Sequence, residues 1–161
     1  MIEAVGHRQF PHFFANCSRL LQPNGLAAIQ AITIADQVYE RARRQVDFIR
    51  QYIFPGSTIP SVTRLLNSST AASDLRLVNL EDMTAHYTRT LWEWRRSFYE
   101  HLDEARDLGY DESFLRLWEY YLAYCEGGFA ERHIGSVQLL FAKPGYRRPL
   151  PLPQRSGWQR S

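Results

Sequence analysis

Lysine is nearly missing from this chain: Lys143 is the only one, although basic residues number 19 among 161. The remainder are arginines. The formal charge is +2 and the pI about 8.6, too mild a balance for a nucleic-acid footprint, so no nucleic-acid partner is expected. No apolar run approaches the ~20 residues that cross a bilayer. No charged and apolar leader opens the sequence. Contact with a membrane surface requires neither feature and stays open. Cys17 and Cys125 stand alone, without metal-ligand spacing or a disulfide framework, which fits a reducing cytoplasm. Missing too is a Gly-rich strand–turn unit of the kind that lets backbone approach a nucleotide-like cofactor. Gly127-Gly128 is the only paired glycine, and it follows a helical pattern.

What is present suffices for one globular domain: hydrophobic residues make up 45% and charged residues 22%. Phe10, Phe13, Phe14, Cys17, Leu20 and Leu21 recur at helical spacing, and Pro11 suits a first turn, so residues 9–21 are predicted helical. Gln22-Pro23-Asn24-Gly25 breaks that helix. The apolar run from Leu26 to Ile34, interrupted mainly by Gln30, reads as a strand buried on both faces, as in a parallel sheet covered by helices. Residues 36–52 are predicted as one helix, with Val46, Ile49 and Ile53 on its apolar side. Pro60-Ser61 opens a shorter helix through Leu66, with Ser61 as its cap. Leu75 to Met83 reads as a second strand. A long helix follows, marked by Tyr87, Leu91, Trp94, Phe98 and Leu102, and then another marked by Phe114, Leu117, Trp118, Tyr121 and Cys125. Val137 to Ala142 reads as a terminal strand. From Lys143 onward the Pro- and Arg-rich composition predicts a loose tail.

Three segments carry a resemblance that covers nearly the whole chain apart from that tail. They are Ile2-Glu3-Ala4-Val5-Gly6, Tyr52-Ile53-Phe54-Pro55-Gly56, and Tyr121-Leu122-Ala123-Tyr124-Cys125-Glu126-Gly127-Gly128-Phe129. In this order and spacing they resemble the C-terminal half of the cyclopropane-fatty-acyl-phospholipid synthase family. The resemblance implies an α/β fold: the C-terminal portion of a Rossmann-like class I methyltransferase with an inserted helical segment. Residues 1–142 would be that half-domain and residues 143–161 the tail. The N-terminal half that holds S-adenosylmethionine is then expected to be absent, through truncation or a late start at Met1.

The implied chemistry is methyl transfer from S-adenosylmethionine to double bonds of unsaturated phospholipid acyl chains, at the inner membrane's surface. Cyclopropane and methyl- or methylene-branched products both stay open. In such enzymes methylation leaves a carbocation on the acyl chain, and a bound bicarbonate accepts the proton that departs. Glu3 matches the glutamate of a Glu-x-Val-Gly motif and would fix the bicarbonate. Gln30 stands where many members have His; its amide can donate a hydrogen bond but cannot relay a proton at neutral pH. Ile32 matches a backbone contact to the anion, and Tyr87 a tyrosine whose hydroxyl reaches it. Cys125 matches a residue labelled active-site cysteine in relatives, yet cation chemistry needs no thiolate, and packing beside the site is the better reading. Phe129 and Gln138 match family positions with packing and strand-orienting roles.

Plainer readings stand beside these. A lone Glu near a terminus is usually solvated, a buried Gln is satisfied by backbone, and a helix-face Tyr is commonly packing. The aromatic residues Phe13, Phe14, Trp92, Trp94, Phe98, Trp118, Tyr121 and Tyr124 are candidates for an acyl channel, though helix spacing alone explains most of them. Arg41, Arg43, Arg44, Arg95 and Arg96 are candidates for head-group contact or for solvated helix faces. A second function class is a non-catalytic remnant or accessory subunit that binds lipid or pairs with a separate N-terminal half. A homodimer stays open as well.

Overall fold

A computed structural model describes residues 2–151. A 3-10 turn (Ile2–Val5) leads into α1 (Phe10–Leu20), β1 (Leu26–Ile34), α2 (Asp36–Ala42), a π-helical turn (Ile49–Ile53) and α3 (Val62–Ala72). β2 (Arg76–Asp82), α4 (Thr84–Glu100), α5 (Leu102–Asp107), α6 (Glu112–Ala130) and β3 (Ile134–Ala142) complete it. The three strands form one sheet in the order β1-β3-β2, antiparallel throughout, with Gln30 opposite Gln138 and Gln138 opposite Glu81.

Strand alternation divides the core in two. Ile29 and Ala31 of β1, with Val137, Leu139 and Phe141 of β3, pack against Phe10 and Phe14 of α1 and Leu65 of α3. The other sheet face carries Ile32 and Ile134, which meet Leu91 of α4 and Leu122 and Phe129 of α6. The expectation that β1 is buried on both faces is therefore corrected. Ala28 and Gln30 are exposed, because the apolar cluster of α4 and α6 covers that face of β1 at Ile32, and Gln30 meets only the hydroxyl end of Tyr87.

The predicted helix over 36–52 is also corrected. α2 stops at Ala42, and the Arg50 side chain donates from Nη1 to the carbonyls of Arg43 and Gln45, taking up acceptors left by the stop. Asp47 then caps a new turn by accepting from the Arg50 amide at 2.9 Å. Val46, assigned to the apolar side, is 66% exposed. On α4 the apolar stripe runs through Tyr87, Leu91 and Phe98, whereas Trp94 faces outward and Leu102 belongs to α5. Arg95 turns inward in place of Trp94, its Nε 2.8 Å from Oε2 of Glu126 on α6.

Ser61 caps α3 as expected: its side chain accepts from the Arg64 amide at 3.2 Å. Ser61→Ala is expected to cost about 1 kcal/mol, read as a lower urea midpoint at unchanged slope. At the other end of the chain, Lys143 is tied down rather than loose. Its Nζ lies 2.7 Å from Asp74 Oδ1 and 3.0 Å from Ser18 Oγ, and its amide donates to the Gly25 carbonyl. The Gly145 amide donates to Pro23. The rest of the expected tail, residues 152–161, lies outside the described residues.

Candidate active site

The 3-10 turn holds Glu3 against β1 from two directions. The Thr58 amide donates to the Glu3 carbonyl at 2.8 Å, and the Ile32 amide donates to Glu3 Oε1 at 2.5 Å. Gly6, at φ 71°, then swings the chain toward α1, a left-handed conformation that suits glycine. The Glu-x-Val-Gly pattern thus has a local cause: the acid needs a tight turn behind it to reach the strand.

Tyr87 is placed by the start of α4. The Thr84 amide donates to Asp82 Oδ1 at 2.8 Å, the Met83 amide to the Ser136 carbonyl, and the Ser136 amide to Thr84 Oγ1 at 3.2 Å. Hydrogen bonds from Thr84, helped by Arg132, hold the Asp82 carboxyl below its usual range, so this clip persists at neutral pH. One turn later, Gln30 Nε2 donates to Tyr87 Oη at 2.5 Å. Gln138 Nε2 reaches Gln30 Oε1 at 3.5 Å, a marginal contact made across paired strands. The Tyr87 ring lies 5.0 Å from that of Phe129.

The structure joins the expected residues in two pairs along β1: Glu3 accepts from the Ile32 amide, and Gln30 donates to Tyr87. Cys125 packs behind them, in the apolar cluster that contains Ile32, Tyr87, Tyr121 and Phe129. Burial, with Asp47 adding, pushes its thiol from 9.0 up to about 11, so it stays protonated at neutral pH. Alkylation of Cys125 by iodoacetamide at pH 8, followed by peptide mass spectrometry, is expected to run at least about a hundredfold slower than that of free cysteine. The same shift has a sign for stability. The folded chain keeps a proton that the unfolded chain releases, so stability falls as pH rises from 9.0 toward about 11.

Sequence reasoning missed the Gln30–Gln138 contact and the nearness of Asp47 to Cys125. The first depends on strand register, the second on the break after α2. Among the aromatic candidates, Phe98, Trp118 and Tyr121 join the cluster beside Tyr87, while Phe13 and Phe14 belong to the opposite core. Trp92 and Trp94 face outward on α4. A depression of about 390 Å³ lies on that outer face beside Arg89, Glu93 and Trp94, and none of the five expected residues lines it. Of the arginines, Arg43 and Arg44 pair with Glu40, and Arg96 pairs with Glu93 and Glu100. Among the described residues no group of His, Cys, Asp and Glu could hold a metal ion, and no helix is long and apolar enough to cross a membrane.

Three antiparallel strands with helices α4 to α6 between the second and third are the part of a class I methyltransferase fold that this chain shares with solved structures. The chain matches solved members of that class. The cyclopropane synthase MmaA2 from Mycobacterium tuberculosis superposes with a TM-score of 0.77 at 27% identity, over 88% of this chain and 52% of that one. The mycolic acid cyclopropane synthase CmaA1, complexed with SAH and CTAB, gives 0.78 at 25% identity, with the same coverage of 88% and 52%.

Residues 1–139 match the family model of mycolic acid cyclopropane synthetase, and the chain belongs to that family. Tuberculostearic acid methyltransferase UfaA1 from Mycobacterium tuberculosis is 39% identical over 145 residues, which are 90% of this chain and 34% of that protein. Cyclopropane-fatty-acyl-phospholipid synthase from Escherichia coli K12 is 31% identical over 144 residues, 89% of this chain and 36% of that one. The chain therefore spans about a third of these curated relatives and about half of the solved chains.

Proposed function

We propose that this chain forms the acyl-chain side of a methyltransferase acting on double bonds of unsaturated phospholipid acyl chains, with Glu3, Gln30, Ile32 and Tyr87 around a small-anion site. The carrying observation is that two polar pairs, the Glu3 carboxylate with the Ile32 N–H and the Gln30 amide with the Tyr87 hydroxyl, are set by neighbouring residues of β1. That donor and acceptor set suits bicarbonate, whose oxygens accept hydrogen bonds and whose hydroxyl donates one. Gln30 and Tyr87 would hold its oxygens and Glu3 its hydroxyl.

When bound, S-adenosylmethionine would supply the methyl group and bicarbonate a base, the latter held by Glu3, Gln30 and Tyr87. The chain's own residues do the rest. Glu3 presents fixed negative charge where positive charge develops, in surroundings that need no reorganisation. Because Gln30 donates to the Tyr87 oxygen, the Tyr87 proton points elsewhere and serves as a donor toward the anion. The faces of Tyr87, Phe129 and Tyr121 offer electron-rich shielding to a cation and exclude water. Cys125 contributes shape, since its protonated thiol is a poor nucleophile.

The experiment uses a chimera in which this chain replaces the matching segment of UfaA1. In buffer freed of carbon dioxide, methyl transfer to unsaturated phospholipid vesicles falls at least about tenfold and returns on adding bicarbonate. Transfer indifferent to bicarbonate contradicts the anion site.

A second reading has its own observation. Beyond Glu3 at Ile32 and the Pro60 carbonyl at Ile34, no strand among the described residues pairs with the outer edge of β1. An unpaired edge accepts a strand from a separate cofactor-binding half or from a second copy.

A further inference from the structure

Next to Glu3, on the side away from Tyr87, arginines gather around buried polar atoms that lack partners. A cavity of about 50 Å³ is lined by Arg43, Arg50, Ser57 and Thr58, with Asp47 at its wall. A buried water needs roughly 10–15 Å³, so the space takes several waters or one tetrahedral oxyanion. Arg50 Nε and Arg64 Nε are buried without a hydrogen-bond partner, and so is the hydroxyl of Tyr39, a residue only 5% exposed. Arg64 lies beside Tyr39 and acts on its hydroxyl, outside the lining of the cavity. A buried donor left open is costly, a cost that a ligand accepting from it would relieve.

The charge around the cavity is positive. Arg8, Arg43 and Arg64 surround His7, whose pKa is lowered by burial first and then by those three charges. With Arg50, four arginines stand against Glu40 and Asp47. Both acids are already engaged. Glu40 Oε2 accepts from Arg43 Nε at 2.8 Å, and Asp47 Oδ1 accepts from the Arg50 amide at 2.9 Å. The plainer role of Arg50, bracing the carbonyls after α2, uses its Nη1 and leaves Nε over. Arginine forks with hydroxyls beside them match phosphate oxygens in charge and geometry.

The geometry points to a phosphate-binding site formed by Arg43, Arg50, Ser57 and Thr58, one hydrogen bond from the Glu3 backbone. Its ligand is either the phosphodiester of a lipid head group or a free phosphate. The head-group source rests on the acyl-chain reading above, whereas phosphate binding requires neither S-adenosylmethionine nor turnover. The two readings therefore fail separately.

The test titrates inorganic phosphate into the full chain by calorimetry and floats the chain with phosphatidylglycerol-containing phosphatidylcholine vesicles. Saturable phosphate binding that weakens about tenfold or more in Arg43→Gln, and stays unchanged in Arg96→Gln on the outer face of α4, supports the site with free phosphate as ligand. No phosphate binding, but vesicle retention with the same dependence on variants, supports the head group. Ser57→Ala, which removes a hydroxyl from the cavity lining, gives an independent reading should Arg43→Gln unfold. Absence of both forms of binding, or binding indifferent to the variants that remain folded, overturns the site.

Discussion

Glu3→Gln in the UfaA1 chimera is expected to lower methyl transfer about a hundredfold, while cofactor affinity stays within about twofold. The substitution keeps size and shape. The Gln oxygen can still accept from the Ile32 amide, and the Thr58 amide still donates to the backbone carbonyl of residue 3, so the turn over β1 is retained. What disappears is the negative charge. Charge-assisted hydrogen bonds are roughly twice as strong as neutral ones, and a preorganised group lost from a dry site costs about 3 kcal/mol of transition-state stabilisation. Release of S-adenosylhomocysteine, measured at saturating lipid, reads the effect. Turnover within twofold of the parent would mean that Glu3 merely pins β1.

The largest expected loss of stability is Phe14→Ala. Phe14 is fully buried, with ring centroids 5.5 Å from both Phe13 and Phe141 in edge-on contacts. It bridges α1 to the middle strand of the sheet on the face opposite Gln30. Truncation removes most of an aromatic side chain from a packed cluster and leaves a cavity that α1 can close only in part. A loss of about 3–5 kcal/mol is expected, a large share of the roughly 5–15 kcal/mol that holds a domain together. Urea denaturation of the chain checks it; a loss under about 1 kcal/mol would show that the α1 core is not what holds the sheet.

Much of this arrangement was legible before any coordinates. The turn Gln22-Pro23-Asn24-Gly25 separates α1 from β1 because proline cannot continue the helix and Gly25 packs closely behind Gln22. Ser61 announced α3 through capping chemistry, and Asp111 caps α6 in the same way. The break after α2 was hidden, because periodicity continues through residues 43–48 while the Arg50 side chain and the Asp47 cap impose a stop. Trp94 misled because hydrophobicity was allowed to outweigh position; Arg95 faces α6 because Glu126 waits there.

The site was legible unevenly. Glu3 and Tyr87 stood out through motif context, since nothing in their immediate composition marks them. The part Ile32 plays belongs to its backbone and is invisible to any reading of side chains. Gln30 and Gln138 lie 108 residues apart and meet only through the antiparallel register of β1 and β3. Apart from the Glu-x-Val-Gly turn, elements and caps follow from local sequence, whereas the pairing of Gln30 with Tyr87 and Gln138 is a product of topology.

The most direct test of the acyl-side assignment is methyl incorporation. Cells lacking their own lipid-methylating enzyme, expressing the chimera and fed methionine with a deuterated methyl group, are analysed by mass spectrometry of their fatty acids. The account predicts unsaturated acyl chains converted to products that carry one labelled carbon. A chimera that folds and binds S-adenosylhomocysteine, yet leaves every unsaturated chain unlabelled, would contradict it.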